Sequence, residues 1–476
     1  MPGKAYLYEN VSQRLRHHIH EGSYRAGEKL PSVRVLSRLF QVSVNTILQC
    51  FRQLEADGLI HRIPRSGVFV APTRSEQKPT TDVAPKPVPL LPVEVSLSEE
   101  ILRYMEPYTS RPMLRFGIAL PDSEIMPVER VLQTFRDVSR SDGLASWHYA
   151  HPRGEEAFAH QLARRSLNYP VPVTEQDLLV TNGCMEAIEL ALRVVTKPGD
   201  AVAIETPTYY GALLVLEVLG RKALPIPTHP RQGIRLAALE QVLRQGQVSA
   251  CMISANAQNP LGFSMPTEQR EKLARLAGRY RIPVIENDIW GDTVFGEAQL
   301  PVKAFDQEGE VIYCSSFSKS LMPGMRLGWI APGRFLHRVL ELKQVSNITT
   351  ASAPQLVMAR LMESGFYHHH LQQLRVHLQR QTRELMALSR QYFPVGTRIN
   401  EPSGGCVLWL ELPKPIDSGQ LFDLALAQQI HIFPGRVFSP AGRHSHCLRL
   451  NAGSPVTSAI AAAVRKLGVL AHQQLT

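Results

Sequence analysis

From residue 177 onward the chain alternates short apolar runs with stretches of helical period, and that alternation restricts its fold more than any other feature. DLLVTNG, AVAIETP, ACMISANAQNP, IPVIEND and EVIYCSS read as strands, and CMEAIELALRVV and TEQREKLARLAGRY as helices between them. Strands joined by helices predict a mostly parallel sheet covered on both faces, which receives ligands at the carboxyl ends of its strands. A smaller α/β domain is expected from about residue 390, with strands near GGCVLWLEL and HCLRLN. Of the 476 residues 44% are apolar and 20% charged, and this length predicts two or three domains.

The first 71 residues follow another pattern. Leu7, Val11, Leu15 and Ile19 line one face of a helix from about residue 6 to 21, broken at Glu21–Gly22 and Ala26–Gly27. Ser32 can cap a second helix carrying Val33, Leu36, Leu39 and Phe40. After a turn at Gln41–Val42, Ser43 caps a third helix with Ile47, Leu48, Phe51 and Leu54 inward and Val44, Asn45, Thr46 and Gln49 outward, ended by Gly58. LIHRIPRSGVFV reads as two short strands around a tip at Arg65–Ser66–Gly67. This segment holds ten Lys/Arg against five Asp/Glu, half of the formal charge of +10. A basic surface of that kind suits a polyanion.

Three helices and a basic hairpin make a winged helix-turn-helix, although a tri-helical interaction module has the same apolar pattern. The stretch KLPSVRVLSRLFQVSVNTILQCFRQLEADGLI resembles the GntR family of bacterial transcription regulators. The resemblance implies that Arg34, Asn45, Thr46, Arg62 and Gly67 lie at or beside positions contacting double-stranded operator DNA. The readings above add Ser43, Gln49 and Arg65. Many relatives carry arginine where this chain has Val44 and Leu48, so base readout must differ.

Residues 72–92 contain six prolines and little apolar pattern, as expected of a semi-rigid polyproline II spacer. At about 3.1 Å per residue it spans roughly 60 Å when extended. A short helix with Leu97, Ile101, Leu102 and Met105 as its stripe closes the linker region, 72–111. The six cysteines (Cys50, Cys184, Cys251, Cys314, Cys406, Cys447) include no C-x-x-C pair, which argues against a disulfide framework or a zinc site. Three consecutive histidines, His368 to His370, point in different directions on a helix and do not make a metal site. No run of 18 apolar residues and no signal-peptide pattern is present, so no membrane association and a cytoplasmic location are expected.

Within 112–476 the motifs fall at strand ends. SSFSKSLMPGMRLGW sets Lys319 among hydroxyls just after an apolar run, with Arg326 seven residues on. Burial near cationic charge lowers a lysine pKa and yields a nucleophilic amine, and the planar fork of arginine suits phosphate. The string S-F-S-K-x-x-x-P-G-x-R-x-G resembles the lysine loop of fold-type I, class I/II aminotransferases. In order along the chain YAHPRG, TNGCMEAI, ETPTYYG, QNPLG and LRLN agree with it. The resemblance implies pyridoxal 5'-phosphate bound as a Schiff base at Lys319. Its phosphate would be held by Gly183, Cys184 and Met185 at a helix start, by Ser316, Ser318 and Arg326, and by Tyr149 of a homodimer partner. Tyr209 would cover the ring, Asn259 would bond its hydroxyl, and Arg449 would clamp the α-carboxylate of an amino-acid effector.

A winged helix linked to such a domain resembles the MocR subgroup of GntR regulators, which implies a multidomain chain. A mainly α winged helix-turn-helix with a β-wing precedes an α/β fold-type I transferase domain with a smaller C-terminal domain. It implies a DNA-binding regulator that senses an amine, an amino acid or the cofactor vitamer. The alternative is a working aminotransferase with a DNA-binding appendage. In the family a carboxylate meets the pyridine nitrogen and a tyrosine three residues on meets the ring hydroxyl. VIENDIW departs from this: with Trp290 at the tyrosine position, the carboxylate position falls on Asn287, and a one-residue slip would put Asp288 there. Loss of that charge weakens the electron sink by roughly 1.5 to 4 kcal/mol, about one to three decades in rate, so transaminase activity is expected to be weak or absent.

Overall fold

The computed structural model describes the chain except residues 1–6, 21–23, 25–26, 57–58, 64–66, 71–87, 111–112, 142, 144–147, 166–170, 172, 298 and 476. It divides into two units, residues 1–83 and 84–476.

The first unit holds α1 (Leu7–His20), α2 (Val33–Phe40), α3 (Val44–Ala56) and the antiparallel strands β1 (Ile60–Ile63) and β2 (Gly67–Val70). Ser32 caps α2 by accepting from the Val35 N–H at 3.4 Å, and Gln41 ends it in the left-handed region at φ 53°. Ser43 accepts from the Thr46 N–H at 3.1 Å and meets the Thr46 hydroxyl at 2.8 Å, so both side chains are engaged at the start of α3. Val11, Leu15, Leu36, Ile47, Phe51 and Leu54 form the core with Ile60 and Val70. Two expected core residues are displaced: Leu39 is 67% exposed, and Cys50 is buried where Leu48, half-buried, was expected. From Ile47 the helical steps of three and four residues reach Cys50, Phe51 and Leu54, and cysteine packs there as a small apolar side chain.

In the second unit α4 (Ser98–Ser110) is tied down by the Glu217 carboxylate, which accepts from the N–H groups of Leu97 (2.8 Å) and Ser98 (3.1 Å) and from the Ser98 hydroxyl (2.7 Å). Ile101 and Tyr104 within it and Leu97 just before it are buried, and Leu102, expected in the stripe, is 65% exposed. There follow β3 (Leu114–Arg115), α5 (Val128–Ser141) and α6 (Glu156–Arg165). The main sheet comprises β4 (Leu179–Thr181), β5 (Ala201–Thr206), β6 (Lys222–His229), β7 (Gly233–Ile234), β8 (Ala250–Ile253), β9 (Val284–Asn287), β10 (Val311–Ser316) and β11 (Gly328–Ala331), ordered β4-β11-β10-β9-β8-β5-β6-β7. The pairings from β10 through β9, β8 and β5 to β6 are parallel; β11 and β7 run antiparallel to their neighbours. Helices α7 (Cys184–Val195), α8 (Tyr210–Val218), α9 (Leu236–Arg244) and α10 (Thr267–Tyr280) make the crossovers. Every residue of β5, β8, β9 and β10 is buried, as a sheet covered on both faces requires.

β6 is a strand that apolar patterning does not reveal, because Pro225 and Pro227 interrupt it. The Ala223 N–H points away from β5 and donates to Val93 O at 2.9 Å. By the two-residue period the missing N–H groups of both prolines fall on that same side, away from the β5 ladder, and short of the two residues, Thr228 and His229, that pair with β7.

Helices α11 (Leu336–Asn347), α12 (Ser352–Glu363) and α13 (Phe366–Tyr392) lead into a four-stranded antiparallel sheet ordered β12-β13-β16-β15. Its strands are β12 (Arg398–Ile399), β13 (Val407–Glu411), β15 (Phe433–Pro434) and β16 (Cys447–Asn451), with α14 (Ser418–Leu426) and α15 (Ser458–Gln473) alongside. β14 (Ile430–His431) pairs in parallel with β3, and the Asn451 N–H donates to Phe116 O at 2.6 Å. The segment after β3 is thereby carried along the small sheet toward residues 117–119.

Two carboxylates lie inside the main sheet. Glu286 accepts from the N–H groups of Val302 (2.8 Å) and Lys303 (3.0 Å). Glu205 accepts from the Ser254 N–H (3.0 Å), and burial pushes its carboxyl up to about 8. A carboxyl raised on folding is protonated in the native chain where the unfolded chain has lost its proton. Its contribution is complete below the ordinary carboxylate range and is lost as pH rises toward 8. The wild-type unfolding midpoint should therefore fall on going from pH 5.5 to 8, by several degrees more than that of Glu205→Gln. Calorimetry at the two pH values tests this, and equal slopes would exclude Glu205 as the source.

Candidate functional site

A cavity of about 200 Å³ opens at the carboxyl ends of β4, β5, β8, β9 and β10. Cys184, Met185, Tyr209, Asn259, Asn287, Trp290, Ser316, Ser318, Lys319, Arg326 and Arg449 all line it. Residues far apart in sequence meet because successive parallel strands release the chain at one edge.

Lys319 leaves β10 three residues beyond its last paired position, and its ammonium donates to Ala119 O at 2.6 Å. Its Nζ stands 5.4 Å from the Trp290 ring centroid. Burial, with the Arg449 and Arg326 charges adding to it, holds its pKa down at about 8. Roughly a tenth of such an amine is neutral at pH 7, far more than for a solvated lysine.

Beside it lies an anion cradle. Gly183 is the N-cap of α7 at φ 86°, and the first N–H groups of that helix, on Cys184 and Met185, lack partners within it. A Cβ on Gly183 would stand 2.5 Å from Arg326 Nη2, so only the bare glycine edge admits the guanidinium there. Arg326 donates to Asn182 O (2.8 Å) and the Ser318 hydroxyl (3.4 Å) and pairs with no carboxylate among the described residues. Helix-start amides, hydroxyls and an arginine without a carboxylate partner among the described residues form a donor set suited to a phosphate.

At the end of β9 the two candidates for the ring nitrogen separate. Asn287 lines the cavity. Asp288 is directed elsewhere: it accepts from the Tyr313 hydroxyl at 2.5 Å and from Asn256 Nδ2 at 2.9 Å, and it does not line the cavity. Asn287 Oδ1 accepts from the Cys184 thiol at 3.3 Å and from the Ile289 N–H at 3.4 Å. The Trp290 indole is buried against Gly405. Tyr209, the N-cap of α8, lines the cavity with Tyr210 packed on it, ring centroids 4.8 Å apart.

Arg449, on β16 between Trp409 and Phe433, is fully buried. It donates to Asn259 Oδ1 at 3.2 Å and to Gly117 O, and the rings of Phe438, Phe433 and Tyr210 surround it at 5.1, 5.2 and 5.7 Å. No carboxylate pairs with it among the described residues, so burial leaves a cation whose missing counter-ion a ligand carboxylate would supply.

Tyr149 is 81% exposed and does not line this chain's cavity. In the first unit Arg34, Asn45 and Gln49 are exposed, Thr46 and Gly67 are half-buried, and Ser43 is exposed at the helix cap. Only the backbone of Arg62 is described, paired with Val68, and Arg65 lies outside the described residues. His370 is buried with Nε2 at 2.8 Å from Ser320 O, while His368 and His369 face solvent. No cluster of three metal-ligating side chains occurs among the described residues. None of the described helices is long and apolar enough to cross a membrane.

Sequence patterning misses the carbonyls of Gly117 and Ala119, which reach Arg449 and Lys319 from the segment after β3. They belong to no motif, because a backbone carbonyl leaves no mark in side-chain pattern. Tyr210 and Ser254 also line the cavity, and only the sheet edge brings them there.

Comparison with known proteins agrees with this architecture. Residues 112–467 match the family Aminotransferase class I and II, and residues 7–70 match Bacterial regulatory proteins, gntR family, which implies DNA binding. The chain is 34% identical to the HTH-type transcriptional regulator YjiR of Escherichia coli over 98% of this chain and 99% of that protein. It is likewise 34% identical to YdcR, a second HTH-type transcriptional regulator of that organism, with the same coverage. Among solved structures, α-aminoadipate aminotransferase LysN of Thermus thermophilus, complexed with N-(5'-phosphopyridoxyl)-L-leucine, superposes with a TM-score of 0.73 at 27% identity, covering 80% of this chain and 96% of that one. The aminotransferase assignment implies pyridoxal phosphate as cofactor, and the cradle at Gly183 beside Lys319 fits it. The chain therefore belongs to the MocR-type GntR regulators, in which a helix-turn-helix is fused to an aminotransferase class I and II domain.

Proposed function

We propose that this chain is a transcription regulator whose aminotransferase-like unit is a sensor for an α-amino acid. The observation that carries the reading is the pairing, in one cavity, of a lysine held near pH 8 with a buried arginine that lacks a carboxylate partner, next to an asparagine where a catalytic carboxylate is expected. Lys319 would hold pyridoxal phosphate. The Cys184 and Met185 amides, Ser316, Ser318 and Arg326 would hold its phosphate, and Tyr209, Asn259, Asn287 and Trp290 would surround the ring. Bound there, the cofactor supplies an aldehyde carbon that amines capture and exchange.

The protein's own groups do the rest. Arg449 orients an incoming amino acid by its carboxylate, and its three aromatic neighbours keep the guanidinium from swinging out to solvent. Ala119 O accepts from the Lys319 amine and aims it into the cavity. Asn287 brings no negative charge to the ring, so binding and exchange are retained while carbanion chemistry is slow. The exposure of Tyr149 supports a homodimer in which it serves the partner's phosphate. Effector capture would then shift the population of two dimer states that differ in DNA affinity.

Purified protein should show the visible band of lysine-bound cofactor, and Lys319→Ala should lose it. An amino acid should shift that band without converting the cofactor to its amine form. Complete conversion reversed by a keto acid would mean a working aminotransferase instead. Arg449→Lys should weaken the amino-acid response by about 10- to 100-fold, the worth of one charge-assisted bond set, and leave the response to the matching amine without a carboxylate nearly unchanged.

On DNA, Arg34→Ala should lower affinity and reduce the slope of log affinity against log salt by about one. An unaltered slope would remove Arg34 from the phosphate contacts.

A further inference from the structure

Asn287 is a residue whose two faces differ, and its surroundings choose between them. The Ile289 N–H, 3.4 Å from Oδ1, is a donor that cannot become an acceptor. The Cys184 thiol, 3.3 Å from the same oxygen, is pushed above its ordinary pKa by burial and by the Asp288 charge, so it keeps its proton and donates. Turning the carboxamide over would set its NH2 group against both donors. In the observed orientation Nδ2 donates to no described residue, and it is not sealed from the cavity that Asn287 lines. The nearest carboxylate, Asp288, has its two oxygens taken by Tyr313 and Asn256.

We propose that Cys184 is a positioning residue: with the Ile289 amide it locks the Asn287 carboxamide so that its NH2 faces the ring nitrogen of the cofactor and holds that nitrogen unprotonated. This rests on the Lys319 reading above. A pyridine nitrogen has one in-plane site: unprotonated it accepts, protonated it donates. A carboxylate selects the protonated form, and an NH2 donor selects the other. The weak sink is thus more than a missing charge, because the amide is oriented against protonation.

The test is the nitrogen-15 chemical shift of full-length holoprotein loaded with pyridoxal phosphate labelled at the ring nitrogen. Wild type should give the shift of an unprotonated pyridine, and Asn287→Asp should move it to that of a pyridinium. Cys184→Ala frees the amide to turn and should move the signal part of the way. Cys184→Ser keeps a hydrogen-bond donor at the same place and should restore the wild-type shift, which a merely structural role for the thiol would not predict. A pyridinium shift in wild type overturns the proposal, and a Cys184→Ala signal identical to wild type overturns the role of the thiol. The visible band separates these outcomes from a failure of the underlying reading: if wild type binds no cofactor through Lys319, the sensor assignment falls and this inference with it.

Discussion

The rest of the second unit depends on a main sheet buried on both faces. Once α7 to α10 and their neighbours cover β5, β8, β9 and β10, a ligand can reach this sheet only at the strand ends. Chemistry therefore collects where the strands stop: Gly183 after β4, Tyr209 after β5, Asn259 after β8, Asn287 at the end of β9 and Lys319 after β10. The small sheet adds Arg449 from another direction, and the chain leaving β3 threads between them with two carbonyls. None of these groups is held by its own loop alone.

Charge inside this cavity is one-sided. Lys319, Arg326 and Arg449 line it, and no carboxylate among the described residues does. Acids are near, yet each is used elsewhere: Asp288 meets Tyr313 and Asn256, Glu205 accepts from Ser254, and Glu286 accepts from Val302 and Lys303. A cavity with buried cations and no matching anions is expensive for the empty protein and favourable for an anionic guest. That asymmetry connects the lowered lysine pKa with the phosphate cradle and the arginine on β16.

Much of this was legible in the residues. The spans of α7 and α10 coincide with the amphipathic runs CMEAIELALRVV and TEQREKLARLAGRY, because long helices with a regular stripe declare their period. The strands at AVAIETP and EVIYCSS were equally plain, since fully buried strands are continuous apolar runs. β6 stayed hidden behind two prolines, which are tolerated only because their missing N–H groups face away from β5. Leu39 and Leu102 have apolar character yet stay 67% and 65% exposed, because burial depends on what packs against a side chain and not on its type alone. The winged helix was readable down to its caps at Ser32 and Ser43.

By itself the sequence determined the division into a helix-turn-helix and an α/β unit, the alternation of strand and helix within the latter, and the residue types offered to the site. Those follow from local period, capping and composition, which act over a few residues. Only the tertiary structure decided which of two adjacent residues, Asn287 or Asp288, faces the cavity. In an extended strand neighbours point to opposite faces, and the choice between faces was made by Tyr313 and Asn256 on one side and Cys184 on the other, contributed by three distant segments.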